Sequence, residues 1–401
     1  MSPRKEIYRH LSSMRPMMPS ALGELSERCA SIFKKAGELT ATLPSRSARR
    51  ELALLVRSMN SYYSNLIEGH KTLPKDIEKA LRSGASGTAD EQHNQRLSIA
   101  HVRAEESMRA KLAEDPDADV FSKDFICWLH REFYSHLPVD ERLVELERGT
   151  FHPEPLVPGE LRTYNVSVGR HDPPDHPVLG AFLDDYASVY GAAEILAMQR
   201  PIALAAAHHR LAWIHPFADG NGRVARLQSQ AAMIRAGIDG EGLWTLSRGL
   251  ARQQADYYKH LQNADGVRLN DFDGRGPLSD RMLGEFCGFF LTTILDQMEF
   301  MIGLVRPDLL ARRIEQFAAV ELTGLGTRMQ ERIAGLLKAL CVENEMPRGK
   351  VAGLFGLSAA SGRELIRAAV ARHLVTSDTE KSPLRIAFPA AVAEFYFPRL
   401  G

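Results

Sequence analysis

The stretch His215-Pro216-Phe217-Ala218-Asp219-Gly220-Asn221-Gly222-Arg223-Val224-Ala225-Arg226 constrains this chain more than any other. Residues 201–213 before it form an Ala/Leu/His run with helical apolar spacing and no breaker. Beyond the glycines, Val224, Leu227, Ala231 and Ile234 recur at helical spacing, which predicts a second helix opening at Asn221. Gly220 and Gly222 allow backbone angles closed to other residues, so N–H groups can converge on one point. The free N–H groups and positive dipole end of the second helix favour a phosphate there. Arg223 and Arg226, three apart and so on one face, present donor forks suited to phosphate oxygens. Asp219 is a hard oxygen ligand that suits Mg²⁺ shared with a nucleotide. His215 can take a proton near neutral pH. Singly, each has a plain reading: a turn, a structural histidine, a solvated pair of arginines. Their order and spacing together favour chemistry.

The stretch resembles the signature of the Fic family, HxFx(D/E)GNGRxxR, at every specified position. Fic proteins mostly transfer the AMP part of ATP to a hydroxyl of a target protein. The resemblance implies His215 as the general base that deprotonates a Ser, Thr or Tyr. It implies Phe217 as the buried loop anchor and Asp219 as the holder of Mg²⁺. Asn221 and the backbone of Gly220 and Gly222 would cradle the transferred phosphate, and Arg223 and Arg226 would hold the outer ones. ATP is then the co-substrate, and the partners are target proteins with an exposed hydroxyl, this chain included.

Residues 49–67 read as a helix ending in Ser64-Asn65-Leu66-Ile67-Glu68-Gly69. Ser64 and Glu68, four apart, share a face, and Gly69 is a natural C-terminal cap. A carboxylate at a helix C-terminus faces the negative dipole end and needs a cation. The segment resembles the (S/T)xxxE(G/N) inhibitory helix of many Fic proteins. The resemblance implies that Glu68 pairs with Arg226 at the γ-phosphate position and holds the site shut. A hydrolase that uses Glu68 to activate water and remove AMP is the enzymatic alternative.

Gly159 to Gly169 alternates and contains Tyr164, Val166 and Val168, which predicts a short β-hairpin. In Fic proteins a hairpin here forms a flap that holds the target segment by strand addition. Thr163, Tyr164, Asn165, Val166, Ser167 and Val168 match it in place. The chain then departs from the family at Arg170-His171-Asp172-Pro173-Pro174-Asp175-His176. Its His and Asp residues could be read as metal ligands, but a solvated polar loop fits two prolines better.

The expected class is mainly α: a Fic-type helical core with a β-hairpin flap, plus a C-terminal winged-helix domain. At 401 residues two or three domains fit. We divide the chain into an N-terminal helical region (1–115) with the inhibitory helix at about 49–69, a catalytic core (116–305), and a linker helix with a winged helix-turn-helix (306–401). The resemblance covers roughly residues 50–300, and the C-terminal part only as a common accessory. Residues 1–20 read as extended, and 21–40, 92–112, 125–133, 178–198 and 252–264 as helices. His208 and His209 are assigned structural roles. Family resemblance puts Tyr257, Tyr258 and Asn263 near the adenine. Arg348, Lys350, Arg363, Arg367 and Arg372 form the basic face of the C-terminal part, for DNA or for protein docking in equal measure. A transcriptional regulator that senses nucleotide is the non-enzymatic alternative, and a homodimer stays open. Fifty basic residues balance fifty acidic ones, so no global field draws the chain to nucleic acid or membrane. The N-terminus has no secretory apolar region, and 286–304 reads as a core helix rather than a membrane span. Four scattered cysteines fit a reducing cytoplasm.

Overall fold

The structure, a computed structural model, describes residues 8–147 and 149–401. Its centre is the apolar helix Asp280–Val305, which packs against Gly23–Thr42, Arg200–Ile214, Leu246–Arg252 and Gln254–Ala264. Among the described residues this is the one helix long and apolar enough to cross a membrane by length and composition. Phe286, Cys287, Phe290, Leu291, Ile294 and Met298 on it are buried in the helical core. Burial also pushes the thiols up, Cys29 to about 11 and Cys341 to about 12, and all four cysteines are free.

The helix Arg46–Ile67 starts where Ser45 accepts from the Ala48 N–H, upstream of the expected 49. It ends in a Schellman motif: Gly69 takes φ 88°, its N–H reaches the Leu66 carbonyl, and the His70 N–H reaches that of Asn65. Most of its residues from Leu52 onward are buried, because it is packed from several sides. It meets Ala89–Glu114, Leu246–Arg252 and Asn221–Arg235 on the core side. On the other side lies the C-terminal part. Ser45 and Ser47 donate to the carbonyls of Glu343 and Asn344, Arg385 approaches Glu51, and Tyr63 donates to the Leu400 carbonyl at 3.1 Å.

Several expectations are corrected. Residues 8–20 are not extended: Leu11–Met14 is a 3₁₀ turn, Met14 and Met17 are buried, and Arg15 bonds Asp185 at 2.8 Å. The helix expected over 178–198 stops at Tyr190, where an added Cβ on Gly191 would lie 2.9 Å from the Ala187 carbonyl. The helix expected over 252–264 is present as Gln254–Ala264, and an unexpected helix, Leu246–Arg252, precedes it across a bend at Gln253. The hairpin expected over 159–169 shrinks to a single pairing, Val168 with His171 around the Gly169 turn. The backbone of 162–174 is tied by side chains instead of a ladder. Arg162 takes the carbonyls of Tyr164 and Pro174, and Asn165 binds Asp175. The paired strands of this region lie earlier, Glu145–Glu147 with Thr150–Phe151.

Beyond Pro307–Glu321 come Thr327–Val342, Arg348–Leu354 and Ala359–Val370, then an antiparallel ribbon of Val375–Thr376 with Arg385–Ile386. A last turn, Ala393–Tyr396, went unread in the sequence. Its Tyr396, with Phe397 and Leu400, is fully buried.

Candidate active site

Two consecutive helices build the site. Arg200–Ile214 ends at His215, which takes the left-handed conformation (φ 48°, ψ 61°) uncommon for a residue with a side chain. The chain then turns through Phe217, fully buried and stacked on His130 at 4.0 Å, and enters the helix Asn221–Arg235. Gly220 turns left-handed (φ 80°), and an added Cβ would lie 2.6 Å from the Tyr134 ring. Gly222 serves a different purpose from the one its spacing predicts. Its backbone is ordinary, but an added Cβ would lie 2.3 Å from Glu68 Oε1. It makes room for a carboxylate. The Asn221 amide is spent within the loop, accepting from the Phe217 N–H at 2.9 Å and donating to its carbonyl at 2.8 Å. Its side chain therefore shapes the turn. No side chain caps the helix start, and its first residues, Asn221 and Gly222, line the cleft.

The cleft is about 420 Å³, lined by Glu68, Val168, His171, His215, Gly222, Arg226 and Tyr258 among others. His215 is neutral at pH 7: burial first, then the charge of Arg162 and the nearby His171, push its ring down to about 4. The sequence reading of a near-neutral titration is corrected by that burial. Asp219 loses water, but Arg223 and the Tyr134 hydroxyl outweigh this and hold its carboxyl below the usual range. Arg223 and Tyr134 contact its Oδ2 at 2.9 and 2.5 Å. Arg223 is itself buried, with its Nε and Nη1 unpartnered among the described residues. Such buried donors need an acceptor.

Arg226 is also buried, and two of its three nitrogens are engaged. Its Nε donates to Ser64 Oγ at 2.9 Å, and its Nη2 to the Ser64 carbonyl at 2.9 Å and to Glu68 Oε1 at 2.6 Å. Burial alone would raise the Glu68 pKa, yet Arg226 and Arg223 draw it below the usual range. The adenine positions divide. Tyr257 is buried with its hydroxyl on His208 at 2.8 Å, whereas Tyr258 is half-exposed and donates to the Ile67 carbonyl. Asn263 does not line the cleft, and its backbone carbonyl accepts from the Gly266 N–H. His208 and His209 are buried and hydrogen-bonded.

Of the 163–168 segment, Val168 alone lines the cleft; Tyr164 stacks on His152 at 4.8 Å and Ser167 bonds Asp172 at 2.6 Å. Thr163 and Val166 lie between these ties without strand pairing. The His and Asp residues of 171–176 bind protein groups: His171 the Trp213 carbonyl, Asp175 Arg9 and Asn165. Among the described residues no cluster of three or more His, Cys, Asp or Glu could hold a metal. Sequence reasoning missed His130 and Tyr134, and it gave Arg162 no part beyond the GxxR pattern of the flap. The first two, four apart on Lys123–Ser135, were legible as one helix face, but only the fold brings that face to Phe217 and Asp219.

The site thus joins a histidine-to-glycine turn to an uncapped helix start within a helical core. Residues 120–232 of this chain match the Fic/DOC family. It is 30% identical over 216 residues to the protein adenylyltransferase Fic of Drosophila willistoni, spanning 52% of this chain and 38% of that protein. For the Drosophila mojavensis protein of the same name the figures are 27% over 248 residues, 61% and 44%. The chain thus spans less than half the length of these curated relatives. In fold it is similar to a Fic family protein from Desulfovibrio desulfuricans G20 (TM-score 0.51, 16% identity, 92% of this chain and 98% of that one). It is likewise similar to Fic-1 from C. elegans (TM-score 0.51, 20% identity, 70% and 72%).

Proposed function

We propose that this chain is a protein adenylyltransferase whose resting site is closed by Glu68. One observation carries the reading. A single cleft holds a neutral buried histidine, an uncapped helix start and an Arg226 already occupied by a carboxylate, and the same helix carries Arg223 with spare buried donors behind it. The name of the Drosophila relatives supports AMP transfer. His215, unprotonated at pH 7, takes the proton of the target hydroxyl. The freed oxygen bonds to the α-phosphorus of ATP, the bond from that phosphorus to the bridging oxygen breaks, and pyrophosphate leaves. Helix N–H groups and Arg223 stabilise the charge that develops, a task of positioning and electrostatics.

Asp219 fits a hard divalent cation. It is a half-exposed carboxylate just ahead of the helix start whose Asn221 and Gly222 line the cleft, and phosphate and water oxygens would complete a Mg²⁺ shell. The ion would neutralise phosphate charge. With Arg226 held by Glu68 and Ser64, the outer phosphates lack one of their two arginines. Segment 163–171 serves as the flap, where the target would pair beside Val168. The C-terminal helices and ribbon form a winged helix, on which exposed Arg363, Arg367 and Lys350 favour a DNA partner. Removal of AMP remains a second reading, because the Glu68 side chain is 30% exposed to the same cleft.

The test is incorporation of α-labelled ATP by the Glu68→Gly protein with and without His215→Ala. Loss of a general base costs about 10²–10⁴ in rate. Undiminished labelling without the imidazole would remove His215 from the chemistry.

A further inference from the structure

Arg162 is a buried cation, 4% exposed, whose hydrogen-bond partners are all neutral. Its Nε donates to the His215 carbonyl at 2.9 Å, its Nη1 to the Tyr164 carbonyl at 2.9 Å, and its Nη2 to the Pro174 carbonyl at 2.5 Å. A longer bond reaches Asn165 Oδ1 at 3.4 Å, and the Arg162 backbone N–H donates to the Pro216 carbonyl at 3.0 Å. A buried charge without a bonded carboxylate is costly, and a neutral side chain could serve mere packing. Two of these five bonds land on His215 and its neighbour, at the one residue of the site with a side chain in the left-handed region. The other three fasten the 164–174 segment that borders the cleft.

We propose that Arg162 is a positioning residue that locks the His215 backbone in its left-handed turn and ties it to the cleft-bordering segment. Adenylyl transfer by His215 is the reading on which its kinetic effect rests. The planar fork suits this, since the carbonyls of Tyr164 and Pro174, at the two ends of that segment, and of His215 are met by one rigid group. Two consequences separate the role from bulk stability. The orientation of the imidazole depends on the fork, and its basicity on the positive charge beside it. Burial lowers the His215 pKa, and Arg162 is the next cause.

The experiment compares Glu68→Gly with its Arg162→Met and Arg162→Lys derivatives, each checked for folding by circular dichroism and thermal melting. Arg162→Met should lower the labelling rate by about 10²-fold and move the acid limb of its pH profile upward. Arg162→Lys keeps the charge but not the fork, so the rate should fall with the acid limb in place. A second arm needs no turnover: the His215 ring, titrated by NMR in the otherwise unaltered protein, should gain basicity in Arg162→Met and not in Arg162→Lys. If Glu68→Gly fails to label at all, the adenylyl-transfer reading falls while the titration still judges Arg162. Full activity in Arg162→Met, or a lower rate with neither the limb nor the titration moved, overturns the inference.

Discussion

Replacing Glu68 with glycine should open this site, and the structure sets the size of the effect. The Glu68 Oε1 to Arg226 Nη2 contact is 2.6 Å, with the guanidinium side chain 2% and the carboxylate 30% exposed. Opposite charges about 4 Å apart at an effective dielectric of about 20 attract by about 4 kcal/mol. Desolvating the arginine consumes most of that gain, and the Ser64 bonds to Arg226 survive the substitution in part. A net bias of about 1–3 kcal/mol remains, a factor of roughly 5–150 in the population of open sites. Self-labelling with α-labelled ATP should rise by that factor, and pyrophosphate should appear in step. The substitution also adds backbone freedom at the helix end, a cost of about 0.5–1 kcal/mol that appears in melting but not in labelling. In a removal enzyme the same change would instead abolish AMP release. Labelling and release both unchanged would refute the argument, leaving Glu68 as a helix end that merely touches an arginine.

Gly222→Ala should lower the melting temperature of the parent, where the new methyl meets the Glu68 carboxylate, and stabilise Glu68→Gly by up to about 1 kcal/mol as a better helix former. Equal effects in the two backgrounds would mean the carboxylate does not lie against Gly222. Burial holds the rings of His101, His130, His208 and His215 at about 4, 3, 3 and 4. The unfolded chain protonates them near 6.5, so stability is full above about pH 6.5 and falls as pH drops toward 4, by up to ~1.4 kcal/mol per unit per ring. A melting temperature that stays flat from pH 7 to pH 5 would contradict that neutrality. Arg363→Ala with Arg367→Ala should weaken retention on duplex DNA and flatten its salt dependence by about two phosphate contacts. No retention of the intact protein at low salt would leave the C-terminal helices as a protein-docking element.

The parts of this site that were legible in the sequence are those built from short spacings. Two helices around a glycine turn, a capping glycine at 69, and Ser64 and Glu68 on one face follow from local rules. Pairing Glu68 with Arg226, 158 residues apart, came from resemblance, since no periodicity reports it. The role of Arg162, by contrast, could not be read from its GxxR pattern, because its three carbonyl partners are backbone groups carrying no side-chain signature. Tyr134 reads as one more apolar residue of a core helix until the fold sets it over Gly220. The hairpin failed for a related reason: alternation marks a strand only where backbone groups lack other partners, and here Arg162 and Asn165 supply them. The kink at Gln253 and the buried last turn, Ala393–Tyr396, depend on tertiary packing alone.

The fastening of the Arg46–Ile67 helix decides how such a gate can move. Its first turn is pinned through Ser45 and Ser47 to Glu343 and Asn344, Glu51 in its second turn faces Arg385, and Tyr63 is tied to Leu400. One residue further on, Ser64 and then Glu68 belong to Arg226. The helix therefore cannot swing as a bar. Release of Arg226 is confined to fraying of the last turn, Asn65 to Gly69, whose Ile67 carbonyl is held from outside by Gln254 and Tyr258 at 2.9 Å each. Breaking those two bonds costs about 1–3 kcal/mol together, the same scale as the ion pair itself. Amide exchange on nucleotide binding should then quicken at 65–70 and leave 46–63 protected, a hinge a single turn long.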